Sequence, residues 1–145
     1  MFSIDKTSDK ILNFVDTGTA IYTRKRMFKP LSESCRTIVF MFSITDFFKI
    51  DDYCSLQFHK ALDLFKQMIL ETECSRIFLV INKSDKLSSQ LRNVDITSNF
   101  AGFSGNPRSK RDVQKFIIRR FTEKAMGMNR QNSTVCIVKS VCFFR

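Results

Sequence analysis

The chain has 145 residues, 43% of them hydrophobic and 16 of them phenylalanine, which is enough apolar material for the core of one domain. Its net charge of +10 points to an anionic partner or to a solvated basic face, and the solvated face is favoured over nucleic-acid binding. Five scattered cysteines argue against a disulfide framework. The longest apolar run, Ile38–Ile44, is too short to span a bilayer.

The first part of the chain alternates short apolar runs with polar or basic segments. Phe2–Ile4 and Ile11–Val15 are predicted as short strands, the first of them at a sheet edge. The basic segment Tyr22–Phe28 is predicted as a short helix closed by Pro30. Thr37–Phe42 is predicted as a buried strand because its residues are almost all apolar or β-branched.

The second part contains the clearest periodic patterns. Helices are predicted over Leu56–Leu70 and from a capping-box-like start, Ser109–Asp112, to about residue 126. Strands are predicted over Ile77–Ile81 and Thr134–Val138, and Lys86–Pro107 is predicted as polar and irregular. The apolar residues at three- and four-residue spacing are predicted to be buried: Phe58, Ala61, Leu62, Phe65, Met68 and Ile69, then Val113, Phe116, Ile117 and Phe121.

Polar side chains follow directly on the predicted strand Ile77–Ile81. Because open α/β sheets bind ligands beyond the carboxyl ends of their strands, Asn82, Lys83 and Asp85 are candidate ligand-binding residues. The Asp85 carboxylate offers two acceptors to the paired N–H donors of guanine, and the Asn82 amide can meet the remaining polar edge. The Lys83 stem can lie along the base. The alternative interpretation is an ordinary polar turn.

Six parts of the sequence carry a further signal: Asn13–Gly18, Arg24–Arg26, Ile38–Phe40 with Thr45–Phe47, Leu62–Phe65, Asn82–Asp85 and Phe103–Asn106. In chain order, they resemble motifs of the nucleotide-binding domain of heterotrimeric G-protein α subunits. These motifs are the strand ending in D-V-G-G-Q, the helix after it, the next strand with its S-D-Y turn, S-L-x-L-F, the guanine motif and Y-x-G-x-N. The resemblance implies an α/β fold, with an incomplete three-layer, mostly parallel sheet of the P-loop-NTPase-like (Ras-like) class. Residues 1–145 would then form a partial nucleotide-binding domain.

The resemblance also implies ligands and the residues that hold them. GTP or GDP would be bound through its base by Asn82, Lys83 and Asp85. Ser140 would lie near the guanine carbonyl, where the family has a T-C-A-T loop that this sequence matches poorly.

At the phosphate end, the resemblance is weaker. Asp16 and Gly18 match family residues near Mg²⁺ and the γ-phosphate, and Asp16 would act on the metal indirectly. Thr19 replaces the second glycine of the motif, and Ala20 replaces the glutamine that orients the attacking water. A methyl group cannot position water, so GTP hydrolysis is expected to be very weak or absent, and it stays open whether the chain is an enzyme.

Other family segments have no counterpart in the sequence. The chain contains no G-x-x-x-x-G-K-[ST] phosphate-binding loop, no helical insert and no C-terminal receptor-facing helix, so a truncated product is expected. The implied partners are βγ, a receptor and effectors, with no specific nucleic acid and no transmembrane segment. The implied location is the cytoplasm, where the chain could also associate peripherally with the inner face of the plasma membrane. The alternatives are a non-catalytic module that binds βγ or effectors through Thr19–Pro30, and a non-functional gene fragment.

Overall fold

A computed structural model describes five strands and three helices of this chain. Side chains are described within residues 33–126, and the described residues are 2–4, 12–14, 33, 35–50, 56–72, 76–94, 96–126 and 134–141. The elements are β1 (Phe2–Ile4), β2 (Leu12–Phe14), β3 (Thr37–Ser43), α1 (Gln57–Glu71), β4 (Arg76–Asn82), α2 (Leu87–Gln90), α3 (Lys110–Met126) and β5 (Thr134–Val141), with 3₁₀ turns at Ile44–Phe47 and Ser84–Lys86. The predicted strands and the two long helices are confirmed, with ends that differ by at most three residues. The predicted helix Tyr22–Phe28 lies outside the described residues.

The sheet that positions the candidate site is parallel and has three strands, with β4 in the centre between β3 and β5. The register pairs Thr37 with Arg76 at one end of β3 and Ser43 with Asn82 at the other. β1 and β2 pair antiparallel in a separate two-stranded sheet. The described architecture is therefore mixed helix and strand around a small parallel sheet, as the α/β prediction required.

One face of the parallel sheet carries the core. Alternate residues of β3 and β4 point towards α1 and α3, because successive side chains of a strand face opposite sides. These residues join one buried cluster with the apolar faces of the helices: Phe40, Phe42, Ile77, Leu79, Ile81, Phe58, Leu62, Leu64, Phe65, Met68, Ile69, Val113, Phe116, Ile117 and Phe121. All the predicted helix core residues are buried except Ala61, which packs on the edge of this cluster.

The opposite face of β3 is exposed. Val39 and Met41 keep 55% and 49% of their surface accessible, although both are apolar. In the part of the chain that the structure describes, the long helices lie on one side of the sheet, so two layers are seen. The three-layer Ras-like arrangement stays a prediction.

The segment Lys86–Pro107 contributes more to the core than its polar sequence predicts. It contains α2 and a series of turns, and Phe100 stacks on Phe47 with ring centroids 4.3 Å apart. Four of its apolar side chains are buried: Leu87, Leu91, Ile96 and Phe100. The segment therefore closes the end of the core beside α1 and α3.

The start of α3 forms one half of the predicted capping box. The Ser109 hydroxyl accepts a hydrogen bond from the Asp112 backbone N–H at 3.3 Å. The Asp112 carboxylate accepts the Asn106 N–H at 3.1 Å, so it ties the preceding turn to the helix instead of bonding to Ser109. Gly105 has a φ of +136°, and a Cβ there would lie 3.1 Å from Asp112 Cβ, so glycine suits this turn in both conformation and size.

Replacing Ser109 with alanine is expected to lower the free energy of unfolding by about 1 kcal/mol, because the helix loses its N-cap acceptor. Thermal unfolding followed by circular dichroism measures this loss. Ser104→Ala is the matched control, since Ser104 is exposed in the turn before the helix. Equal losses in the two variants would show that the Ser109 hydroxyl does not stabilise α3.

Candidate functional site

The candidate base-binding residues begin where β4 ends. Asn82 is the last residue of β4, and its register partners are Ser43 on β3 and Val141 on β5. Ser140 precedes Val141 on β5, so the backbone places this predicted residue next to the end of β4. The three strand ends therefore meet at the edge where parallel α/β sheets bind ligands.

Asn82 is held by two contacts of its side-chain amide. Its Oδ1 accepts the Lys83 backbone N–H at 2.6 Å, and its Nδ2 donates to Met41 Sδ at 3.7 Å. A thioether sulfur is a weak acceptor, so a stronger acceptor such as a ring nitrogen or carbonyl can compete for this N–H. The Oδ1 contact, in contrast, fixes the turn that follows.

Lys83 turns the chain sharply at the end of the strand. Its backbone is left-handed, with φ 58° and ψ 33°, and it is the one described residue other than glycine with a positive φ. The Lys86 N–H donates to the Lys83 carbonyl at 3.0 Å, which closes the 3₁₀ turn over Ser84–Lys86. A left-handed lysine is strained, and such strain is commonly found at binding sites. Its side chain is exposed at this edge.

The Asp85 carboxylate is accessible within this turn. Its side chain is 52% exposed, and it faces Lys86 Nζ at 3.9 Å. An ion pair this long and this exposed stabilises the turn very little, so a ligand with N–H donors can displace it. The neighbouring Ser84 is buried, which anchors the turn on which Asp85 stands.

Three residues beside the site were not predicted from the sequence. Met41 contacts Asn82 as described, and Ser43 Oγ lies 2.7 Å from Thr45 Oγ1 just beyond the end of β3. Gln90 Nε2 on α2 donates to the Thr45 carbonyl at 3.4 Å, so the chain after β4 is tied to the chain after β3. Ser43 could have been suggested because it directly follows the predicted strand Thr37–Phe42, whereas the sequence carries no signal for Met41 or Gln90.

The predicted phosphate and metal residues are not placed by the structure. Asp16 and Gly18 lie outside the described residues, as do Thr19 and Ala20. Within the described ranges, no group of three His, Cys, Asp or Glu side chains is arranged to hold a metal ion. The role of Asp16 therefore stays a prediction.

Comparison with known proteins identifies the family to which this chain belongs. The chain is 32% identical over 114 residues to guanine nucleotide-binding protein subunit alpha-13 of Homo sapiens, a match that covers 76% of the chain and 30% of that protein. The corresponding subunit of Mus musculus matches equally well. Subunit alpha-12 of Rattus norvegicus is 26% identical over 115 residues. No family model matches the chain.

The chain belongs to the G-protein α-subunit family, as a divergent member. The match extends over 30% of the length of the curated relatives, so this chain shares part of an α subunit with them. The α-subunit resemblance inferred from the motifs is thereby confirmed. No helix in the described ranges is long and apolar enough to cross a membrane.

Proposed function

We propose that this chain binds guanine nucleotides through the base, at the carboxyl edge of its parallel sheet. The observation that carries the proposal is the turn after β4, where Asp85 presents a half-exposed carboxylate next to the fixed amide of Asn82. Two carboxylate oxygens match the two adjacent N–H donors of guanine, a pattern that adenine does not present. Membership of the α-subunit family supports the choice of guanine.

Each of the candidate residues has a distinct role in this proposal. Asp85 accepts the two base N–H donors, Asn82 Nδ2 donates to the opposite base edge, and the Lys83 stem covers the ring. Ser140 lies on the neighbouring strand, from which it can approach the base carbonyl. Residues 1–145 would form a partial Ras-like domain, in which the described parallel sheet is the middle of three layers.

Few contacts are proposed for the phosphate groups of the nucleotide. The sequence has no phosphate-binding loop motif, so base contacts are expected to contribute most of the affinity for GDP or GTP. Asp16 and Gly18 would act as remnants of a Mg²⁺ and phosphate sensor. Hydrolysis would be very weak or absent, because Ala20 cannot orient a water. The βγ, receptor and effector partners of the family are proposed for this chain on the same relationship.

Titration of the purified chain with fluorescent GDP and GTP analogues, with thermal unfolding followed in parallel, tests the proposal. A ligand at 100 times its Kd stabilises the folded state by about 2.7 kcal/mol, so unfolding should shift clearly upwards. Adenine analogues serve as the matched control, since they share the phosphates and lack the guanine donor pair. Equal shifts with both bases, or no shift with either, would refute base-specific binding.

A further inference from the structure

The outer face of α3 carries a row of cations that the proposed nucleotide site does not use. Arg111, Lys115, Arg119 and Met126 follow one another at spacings of four, four and seven residues. With 3.6 residues per turn, these spacings keep all four on one side of the helix, over a length of roughly 22 Å. We call these four residues the basic stripe. The opposite side of α3 is fixed in the core by Phe116, Phe121 and their neighbours, so the stripe is held facing outwards.

The cations of the basic stripe are only partly neutralised. Arg111 and Lys115 are exposed and form no ion pair with any described residue. Arg119 is held in place, since it donates to the Gly102 carbonyl at 3.1 Å and lies 3.5 Å from Glu123. Glu123 is shared with Arg120, at 3.4 Å. The stripe therefore presents two uncompensated charges and a third that is partly compensated.

The stripe ends in an apolar side chain. Met126 is 78% exposed, more than any other large hydrophobic side chain in the described ranges. A helix face that combines cations with an exposed apolar residue suits a bilayer, where the cations meet anionic headgroups and the apolar group enters the acyl boundary. A nucleic acid would satisfy the cations but would leave Met126 in water. The described residues also expose no large aromatic side chain on which a base could stack.

We propose that the basic stripe docks this chain onto membrane surfaces that carry acidic lipids. Each lysine or arginine near an anionic surface strengthens binding about fivefold. The basic stripe supplies two uncompensated cations and a third that is partly compensated. Because α3 is rigidly packed, docking would orient the whole sheet relative to the membrane. The proposal does not depend on nucleotide binding, since no residue of the stripe belongs to the candidate base site.

Co-sedimentation of the full chain with vesicles tests this surface. Wild type is expected to bind vesicles of phosphatidylcholine and phosphatidylserine and to bind pure phosphatidylcholine far more weakly. The double variant Arg111→Gln/Lys115→Gln is expected to lower the partition coefficient on acidic vesicles roughly 30-fold. The matched control is Lys66→Gln/Arg76→Gln, which removes two exposed charges outside the stripe and should lower it less than about threefold.

A second variant separates lipid from other polyanions. Met126→Gln leaves the charge unchanged and is expected to lower vesicle binding about tenfold, because the apolar contact with the bilayer is lost. Circular dichroism confirms that each variant remains folded. The proposal is overturned if the two charge variants weaken binding equally, if neutral vesicles bind as well as acidic ones, or if Met126→Gln has no effect while duplex DNA displaces the chain from vesicles.

Discussion

Replacing Phe121 with alanine is expected to lower the free energy of unfolding by about 3 to 5 kcal/mol. Phe121 is fully buried on α3, and its ring packs against rings from β3 and α1. The ring centroids lie 5.2 to 6.1 Å away, at Phe65, Phe42, Phe58 and Phe40. Truncation removes contacts with four rings at once, two of them edge-to-face, and leaves a cavity that stiff helices and strands cannot close.

Thermal and urea unfolding measure this loss, which corresponds to a fall in Tm of about 10 to 20 °C. Phe121→Leu retains most of the volume and is expected to cost less than about 1.5 kcal/mol. Phe103→Ala is the matched control, because Phe103 is half-buried and packs on the single ring of Phe116. If Phe103→Ala were as damaging as Phe121→Ala, the ring cluster would not be the centre of the core.

The core helices were predictable because their packing repeats with the helical period. Phe58, Leu62, Phe65 and Ile69 recur at spacings of three and four residues, and all four are buried. The core residues of the segment after β4 have no such period. Leu87 and Leu91 are four residues apart, as are Ile96 and Phe100, but the five-residue step between the two pairs breaks the period. These residues are buried because turns bring them over the end of the core. Periodicity reports local structure, whereas contacts between turns depend on the assembled fold.

The position of the candidate site on the sheet was predictable from the sequence, but its detailed geometry was not. The sequence indicates that Asn82, Lys83 and Asp85 follow a buried strand, and the structure ends β4 at Asn82. The left-handed backbone of Lys83 was not predictable, because lysine has no intrinsic preference for a positive φ and the turn imposes it. The contact between Asn82 and Met41 depends on the parallel register between β3 and β4, which sequence alone does not fix.

Replacing Asp85 with asparagine is expected to weaken binding of GDP roughly 100-fold. The change keeps the shape of the side chain, but it exchanges one carboxylate oxygen for an N–H₂ donor. One guanine N–H then faces a donor instead of an acceptor, and the remaining hydrogen bond loses its assistance from charge. The Asp85 carboxylate is half-exposed and lies 3.9 Å from Lys86 Nζ, so the exchange removes little ion-pair energy and folding should be little affected.

Fluorescence titration of both proteins with the same GDP analogue measures the change in Kd. Asp63→Asn is the matched control: it removes one exposed carboxylate from α1, beside Lys124 and away from the strand ends. It should leave Kd within about threefold of wild type, since surface charges are screened beyond the Debye length. A comparable loss in both variants would mean that general charge governs nucleotide binding. A loss confined to Asp85 would assign recognition of the base to the turn after β4.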